Sequence, residues 1–410
     1  MVQSIHSQND TLAQLKAGKL QGIKQLKLSC GLTNFPQEIF DLADSLEILD
    51  LTGNLLSDLP NDLHRLTKLR IIFCSSNQFT QLPEVLSECK NLSMIGFKAN
   101  QIKHIPESAI PTATLRWFIV TDNALKTVPN ALGDCAKLQK LMLAGNQLTA
   151  LPERMANCLA LELLRISANQ FNAVPDFLFD LPKLTWLAYA GNPFCNEIEH
   201  NSIRQHQVNH IDWQTLTLQN ILGQGASGIT HQAEWQNNGL QEPVAVKLFK
   251  SDLTSDGLPR CEMHANILAG DHPNLVGVKG VIHNHPQGTL GLVMPLLDAD
   301  LKILADPPSF ESCTRDAYAE DLALTPKEAQ YILDGVTQAA QHLHARGLMH
   351  GDLYAHNILW NAQKIVLSDL GGASFLPLDN PALTQKLLRL EARALEVLSQ
   401  ELQKLCANAP

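Results

Sequence analysis

No stretch of this chain approaches the roughly 18 consecutive apolar residues of a membrane span, so none is expected. The opening residues, Met1 to Ser7, lack the apolar run of a secretory signal. No block of like charge interrupts the sequence, and the net charge of -10 argues against nucleic acid or an acidic membrane surface as a partner. Charged residues amount to only 18%, too few for a chain held open by self-repulsion, and the 45% of hydrophobic residues is enough for large cores. The histidines are scattered. Pairs such as His283/His285 and His342/His344 have no second ligand pair nearby, so they read as surface and turn residues instead of metal ligands. Nine cysteines, an odd number, disfavour a complete disulfide framework.

What the chain does have is a period. Asn54, Asn77, Asn100, Asn123, Asn146, Asn169 and Asn192 recur every 23 residues. Each closes the same phrase, seen in Leu46-x-x-Leu49-x-Leu51-x-x-Asn54-x-Leu56-x-x-Leu59-Pro60. A fixed period of this length predicts a solenoid, because one unit cannot bury its leucines and stacked neighbours can. The phrase resembles the leucine-rich repeat, with an earlier unit ending at Gly31. The expectation is an α/β repeat solenoid of about eight units over residues 25–195, preceded by a capping segment (1–24) and followed by a linker (196–215). Each unit supplies a strand, a turn through the asparagine, and a Leu-Pro step into a convex segment such as Pro83 to Cys89. The asparagine sits where the chain leaves the strand, and its side chain has the donors and acceptor to satisfy the freed backbone groups. Cys89, Cys135 and Cys158 lie three residues before a strand-opening leucine, in the slot held elsewhere by Leu66 and Leu181. A slot shared by leucine and cysteine is a buried apolar one, so these are free thiols and the compartment is expected to be reducing and cytoplasmic. Strand alternation places Phe73, Met94, Trp117, Met142, Arg165 and Trp186 on the concave side. So apolar a face predicts either a bound protein partner or cover by the second half of the chain.

The second half, 216–410, carries five motifs in order. Gly223-Gln224-Gly225-Ala226-Ser227-Gly228, preceded by Leu222, is followed by β-favouring residues and by Val244-Ala245-Val246-Lys247. Glu262 lies in a short helical segment before His272-Pro273-Asn274. Leu290 to Pro295 reads as a strand. Thr325-Pro326-Lys327-Glu328 is a capping box that opens a helix with apolar positions at Ile332, Val336, Ala339 and Leu343, ending at Gly347. His350-Gly351-Asp352-Leu353-Tyr354-Ala355-His356-Asn357 follows, then a strand ending in Asp369-Leu370-Gly371.

This order resembles the protein kinases, in an α+β bilobal domain with a truncated C-terminal lobe. The resemblance implies ATP and Mg²⁺. It makes residues 222–228 the phosphate-binding hairpin and Lys247 the contact to the α/β-phosphates. Glu262 becomes the partner of Lys247, and Asp352 the residue that orients or deprotonates the acceptor hydroxyl. Asn357 and Asp369 become the metal ligands, hard oxygen donors that suit Mg²⁺. The implied reaction is phosphoryl transfer to a protein hydroxyl, with serine/threonine the default, the repeats recruiting the partner. Several positions depart from the family. The loop arginine is Gly351, the lysine two residues after the catalytic Asp is Tyr354, and no Ala-Pro-Glu follows Gly371. The late C-lobe helices are missing, and Glu391 stands where helix F of the family has an aspartate. Two alternatives are open at this point: a pseudokinase scaffold that acts by binding, and a small-molecule phosphotransferase, since His-Gly-Asp with Asn five residues later also occurs among antibiotic-phosphorylating kinases.

Overall fold

The structure is a computed structural model that describes residues 10–204, 208–225, 227–250 and 253–407. The first nine residues of the expected capping segment, part of the linker, and Ala226 of the glycine-rich hairpin lie outside the described residues. The chain divides into two compact units. The first takes residues 1–164 and 169–184, and the second takes 165–168 and 185–410.

In the first unit, three-residue strands from Gln25–Lys27 onward stack in sequence order as a parallel sheet. The register copies the sequence period: Ile48 lies beside Ile71, Ile71 beside Met94, Met94 beside Trp117 and Trp117 beside Lys140. The return leg of each repeat is a short 3-10 helix, as in Glu84–Glu88, Asn130–Asp134 and Glu153–Asn157. A proline, with φ between -59° and -70°, precedes each of these three and sets the entry angle. With about 2 Å rise per residue, a 3-10 turn spans the same length in fewer residues than an α-helix, which a 23-residue unit requires. The residue just before several ladder asparagines has positive φ: Gly53, Ser76, Ala99, Asp122 and Gly145. The turn needs a left-handed residue there, and the units that lack glycine accept the strain.

The asparagines do what their position predicts. Asn123 Oδ1 accepts the Ile102 amide at 2.9 Å, and its Nδ2 donates to the carbonyls of Phe97 (2.9 Å) and Val120 (3.1 Å). Asn54, Asn77, Asn100 and Asn146 repeat the pattern. All nine cysteines are free, and Cys89, Cys135 and Cys158 are buried thiols. Burial pushes the Cys89 and Cys135 thiols up to about 12 and that of Cys158 to about 11.

The concave column is less open than expected. Met94 and Met142 are buried, whereas Phe73 and Trp117 are half-buried. The Phe73 ring lies over Gly96, where a Cβ would come within 2.5 Å of it. It meets the Trp117 ring edge-on at 6.4 Å, and the Lys140 ammonium stands 4.4 Å from the centre of Trp117. The Phe73 ring thus fills the space over Gly96, and Met94 and Met142, being buried, present little surface to a partner.

The second unit holds a six-stranded sheet. Its order is Leu216–Gln224, Gly228–Asn237, Leu240–Phe249, Gly291–Pro295, Gly280–His283 and His210–Asp212. All neighbours are antiparallel except the last pair. Residues 196–215, expected as a linker, include the end of a helix (Pro193–Arg204) and this sixth strand. Ile211, Leu216, Ala233, Val244, Val246 and Val293 pack as one core. The helix Pro259–Ala269 packs Met263 and Ile267 against Phe249, Val281 and Leu292 and stops at Gly270, where φ is 62°. The helix Pro326–Ala345 opens with the full Thr325/Glu328 capping box. It buries the apolar stripe read from the sequence. Gly335 lets it approach Ile365 so closely that a Cβ would sit 2.8 Å away. The last helix, Pro381–Ala407, buries Leu387, Leu390, Ala394, Leu398 and Leu402. Between residues 296 and 407, the described residues contain only these two α-helices. No helix among the described residues is long and apolar enough to cross a membrane.

Candidate active site

The glycine-rich hairpin joins Leu216–Gln224 to Gly228–Asn237. Its turn is held by the Gly225 amide on the Gly228 carbonyl at 3.0 Å and by Lys250 Nζ on the Gly225 carbonyl at 2.8 Å. A Cβ on Gly223 or Gly225 would meet nothing within 4 Å, so the backbone at both glycines borders open space on that side. Gly228 is different, because a Cβ there would lie 2.5 Å from the Leu248 carbonyl of the adjacent strand. Leu222 is exposed, and Gln224 and Ser227 flank the turn at exposed and buried positions respectively.

Lys247 lies on Leu240–Phe249, directly across from Thr230 and Leu292. Its Nζ meets Glu262 Oε1 at 2.5 Å and Asp369 Oδ1 at 3.5 Å. The helix Pro259–Ala269 delivers Glu262, which is itself buried. Burial raises the Glu262 carboxyl to about 7, with the neighbouring Asp369 adding to the effect against Lys247. Burial also works against the Lys247 charge, but Asp369 and Glu262 outweigh it and keep the ammonium firmly protonated. Asp369 has a left-handed backbone (φ 57°), and its Oδ1 accepts the Gly371 amide at 3.1 Å. Burial opposes the Asp369 charge, while Lys247 and the Gly371 amide more than compensate and hold this carboxyl below its usual range. Half of the side chain is exposed, so it still reaches the cleft.

The loop 350–357 brings Asp352 and Asn357 together. Asn357 Nδ2 donates to the Asp352 carbonyl at 2.8 Å and to its Oδ2 at 3.4 Å. This leaves the carbonyl oxygen of the Asn357 amide as the group able to face a cation. Every candidate among the described residues from 222 to 369 thus falls into one of three sets: the hairpin, the Lys247–Glu262–Asp369 cluster, and the Asp352–Asn357 pair.

Several residues that hold this loop were not anticipated as site residues. Glu391 Oε1 accepts the Gly351 amide at 2.9 Å, and Oε2 meets His344 Nε2 at 2.5 Å. Glu391 therefore sets a carboxylate on the loop backbone. Asp316 accepts the Ala355 amide at 2.6 Å and pairs with His356 Nδ1 at 2.7 Å. His350 Nε2 lies 3.0 Å from the Ser368 carbonyl, tying the loop to the strand that leads to Asp369.

Arg165 and Trp186 require a correction. Both were placed on a concave face expected either to bind a partner or to be covered by the second half of the chain, and as partner anchors they fail, being 1% and 2% exposed. Trp186 stacks on Tyr354 at 4.1 Å with 13° between the planes, and its Nε1 donates to the Leu353 carbonyl at 3.0 Å. Arg165 ion-pairs with Asp352, donates Nη1 to the Gly351 carbonyl at 3.2 Å, and reaches Asp256 through Nε at 2.8 Å. The alternation correctly put both side chains on that face; what it could not say was which residues cover them.

The donor set suits a hard divalent cation. Among the described residues, no group of three or more His, Cys, Asp or Glu could hold a metal unaided. A site of one amide oxygen (Asn357) and one carboxylate (Asp369) fits Mg²⁺, which binds few protein ligands and completes its shell with water and phosphate oxygens.

Residues 216–404 match the family model described as protein kinase domain. The chain is 25% identical over 220 residues to a protein of Acanthamoeba polyphaga mimivirus named as a serine/threonine-protein kinase, covering 52% of this chain and 36% of that one. It is 29% identical over 182 residues to the serine/threonine-protein kinase PkaB of Streptomyces coelicolor, covering 41% and 39%. The chain thus spans little more than a third of the length of either relative. A solved leucine-rich-repeat protein of Leptospira interrogans is 21% identical, with a TM-score of 0.30, covering 48% of this chain and 62% of that one.

Proposed function

We propose, from the premise that residues 216–404 are a protein kinase domain, that this domain is catalytically active and transfers the γ-phosphoryl group of ATP to a protein hydroxyl, serine or threonine by default. The observation that carries the reading is the intact cluster of Lys247, Glu262 and Asp369 beside the Asp352–Asn357 pair. A scaffold freed from catalysis has no need to keep a half-buried lysine between two carboxylates, an arrangement with a desolvation cost.

In this reading the backbone of the glycine-rich hairpin approaches the phosphates, and Lys247 adds a point charge oriented by Glu262. Asn357 and Asp369 would hold Mg²⁺, which when bound neutralises charge on the β- and γ-phosphate oxygens. Asp352 orients the acceptor hydroxyl and takes its proton. The small-molecule alternative is disfavoured by the complete hairpin and Val-Ala-Val-Lys set. The half-buried rings of Phe73 and Trp117 make the first unit the candidate recruiter of the protein partner, and the buried free thiols suit a cytoplasmic location.

The test is phosphate transfer by the purified chain with Mg²⁺-ATP, into itself or a generic protein. Asp352→Asn should retain nucleotide binding and lose transfer by about 10²–10⁴-fold, since the near-isosteric amide cannot accept a proton. Undiminished transfer by that variant would remove Asp352 from the mechanism.

A further inference from the structure

Two departures from the family sit in the loop 350–357, and both have a physical partner. Gly351 stands where the family has arginine. Its φ is 69°, and a Cβ there would lie 2.3 Å from the Gly372 carbonyl and 2.8 Å from the Leu187 carbonyl. No side chain fits at this position. Tyr354 stands where the family has lysine, and its ring is stacked on Trp186. The loop has therefore given up two cations to accept close packing against residues 186–187. One cation returns from another part of the sequence. Arg165, 187 residues before Asp352, places its guanidinium on the Asp352 carboxylate, the Gly351 carbonyl and Asp256.

We infer that Arg165 is a positioning residue of the phosphoryl-transfer site, fixing the Asp352 carboxylate and the loop backbone in place of the side chain that Gly351 cannot carry. The inference rests on the kinase reading above. A planar guanidinium is suited to this task, because it can engage a carboxylate and a carbonyl at once through a rigid fork of donors. The burial of Arg165 means that solvent neither screens the pair nor competes for it. The charge is balanced locally by Asp352 and Asp256, and their attraction outweighs burial to keep the guanidinium protonated. Trp186 supports the same loop one residue on, through the Leu353 carbonyl. Two residues of the 23-residue period thus serve the site, although neither lies in any of its motifs.

The test compares wild type, Arg165→Gln, Arg165→Lys and Asp352→Asn for transfer across ATP concentrations, with fluorescent-nucleotide affinity and melting measured alongside. Misplacement of a reacting group by about 1 Å can cost about 10²-fold in rate. Arg165→Gln should therefore lower kcat by about that factor with KM for ATP unchanged. Arg165→Lys should recover part of the loss, since it keeps the charge but not the fork. If Arg165→Gln fails to fold, the kcat of the lysine variant, intermediate or equal to wild type, decides the matter. Transfer by wild type that is undiminished or increased in the glutamine variant overturns the inference, an increase marking the arginine as a cap on the carboxylate. So does a loss of rate that tracks lost nucleotide affinity with no recovery by lysine, which is the signature of a merely structural residue. Absence of transfer by wild type would sink the kinase reading itself, and this inference with it.

Discussion

At the scale of single residues, Glu262 is the group most exposed to pH. Its carboxyl titrates near 7 in the folded chain, above the ordinary 4.5. Between those values the folded state holds a proton that the unfolded state has released. This group's contribution to stability is therefore fully present below about 4.5 and falls as pH rises to about 7. The charged pair with Lys247, by contrast, is complete only above that pH. Transfer activity should thus rise through about pH 7, and Glu262→Gln should flatten that limb and lower the alkaline plateau. A pH–rate profile of the two proteins checks this, and an unchanged limb in the variant assigns it to another group. Asp369→Ala should behave unlike Asp352→Asn, because it deletes a candidate metal-binding carboxylate instead of a proton acceptor. Nucleotide titration with and without Mg²⁺ should find weakened binding only when the metal is present. Equal affinity in wild type and variant would remove Asp369 from that role.

Among the elements, the asparagine ladder sets the stability of the first unit. Asn123 satisfies one amide and two well-placed carbonyls that belong to its own and the preceding repeat. Asn123→Ala leaves those groups unpaired, at about 1–3 kcal/mol for a buried turn group. The melting transition of the first unit should move to lower temperature, with ATP affinity unchanged, as calorimetry and nucleotide titration can measure. Elements of this kind were legible in the sequence because their causes are local. A 23-residue period, a Leu-Pro step and a capping box each act within a few residues of where they are written. The same holds for the strand carrying Lys247, the helix after Thr325 and the turn at Asp369. The strand His210–Asp212 was missed because three residues without alternation carry no signal until a neighbour at Val281–His283 pairs with them. Asp316, Asp256 and the loop contacts of Arg165 were missed for a related reason. Their partners lie 39 to 187 residues away, and no periodic pattern links the two ends. The burial of the methionines in the concave column was not legible because alternation fixes the face of a side chain but not how much of it its neighbours cover.

For the whole molecule, the recruitment reading now rests on the first unit's own residues. Phe73 and Trp117 remain half-buried on their strands, and large aromatic anchors commonly contribute about 2 kcal/mol or more to binding. Replacing both with alanine should abolish phosphorylation of the protein partner while sparing autophosphorylation, measured in parallel on the same preparations. Partner phosphorylation at the wild-type rate would make the pair an ordinary surface. Arg165 and Trp186 have a different consequence, one for protein engineering. Consensus design rebuilds a family member from the most frequent residue at each aligned position. An averaged repeat gives no weight to arginine at a variable strand position, and an averaged catalytic loop would write arginine over Gly351, where even a methyl group collides with two carbonyls. An averaged repeat would thus lose Arg165, and an averaged loop would lose Gly351, whose carbonyl Arg165 engages. Stabilised versions of this protein must therefore be designed on the two halves jointly, with positions 165, 186, 351 and 354 held fixed as one set.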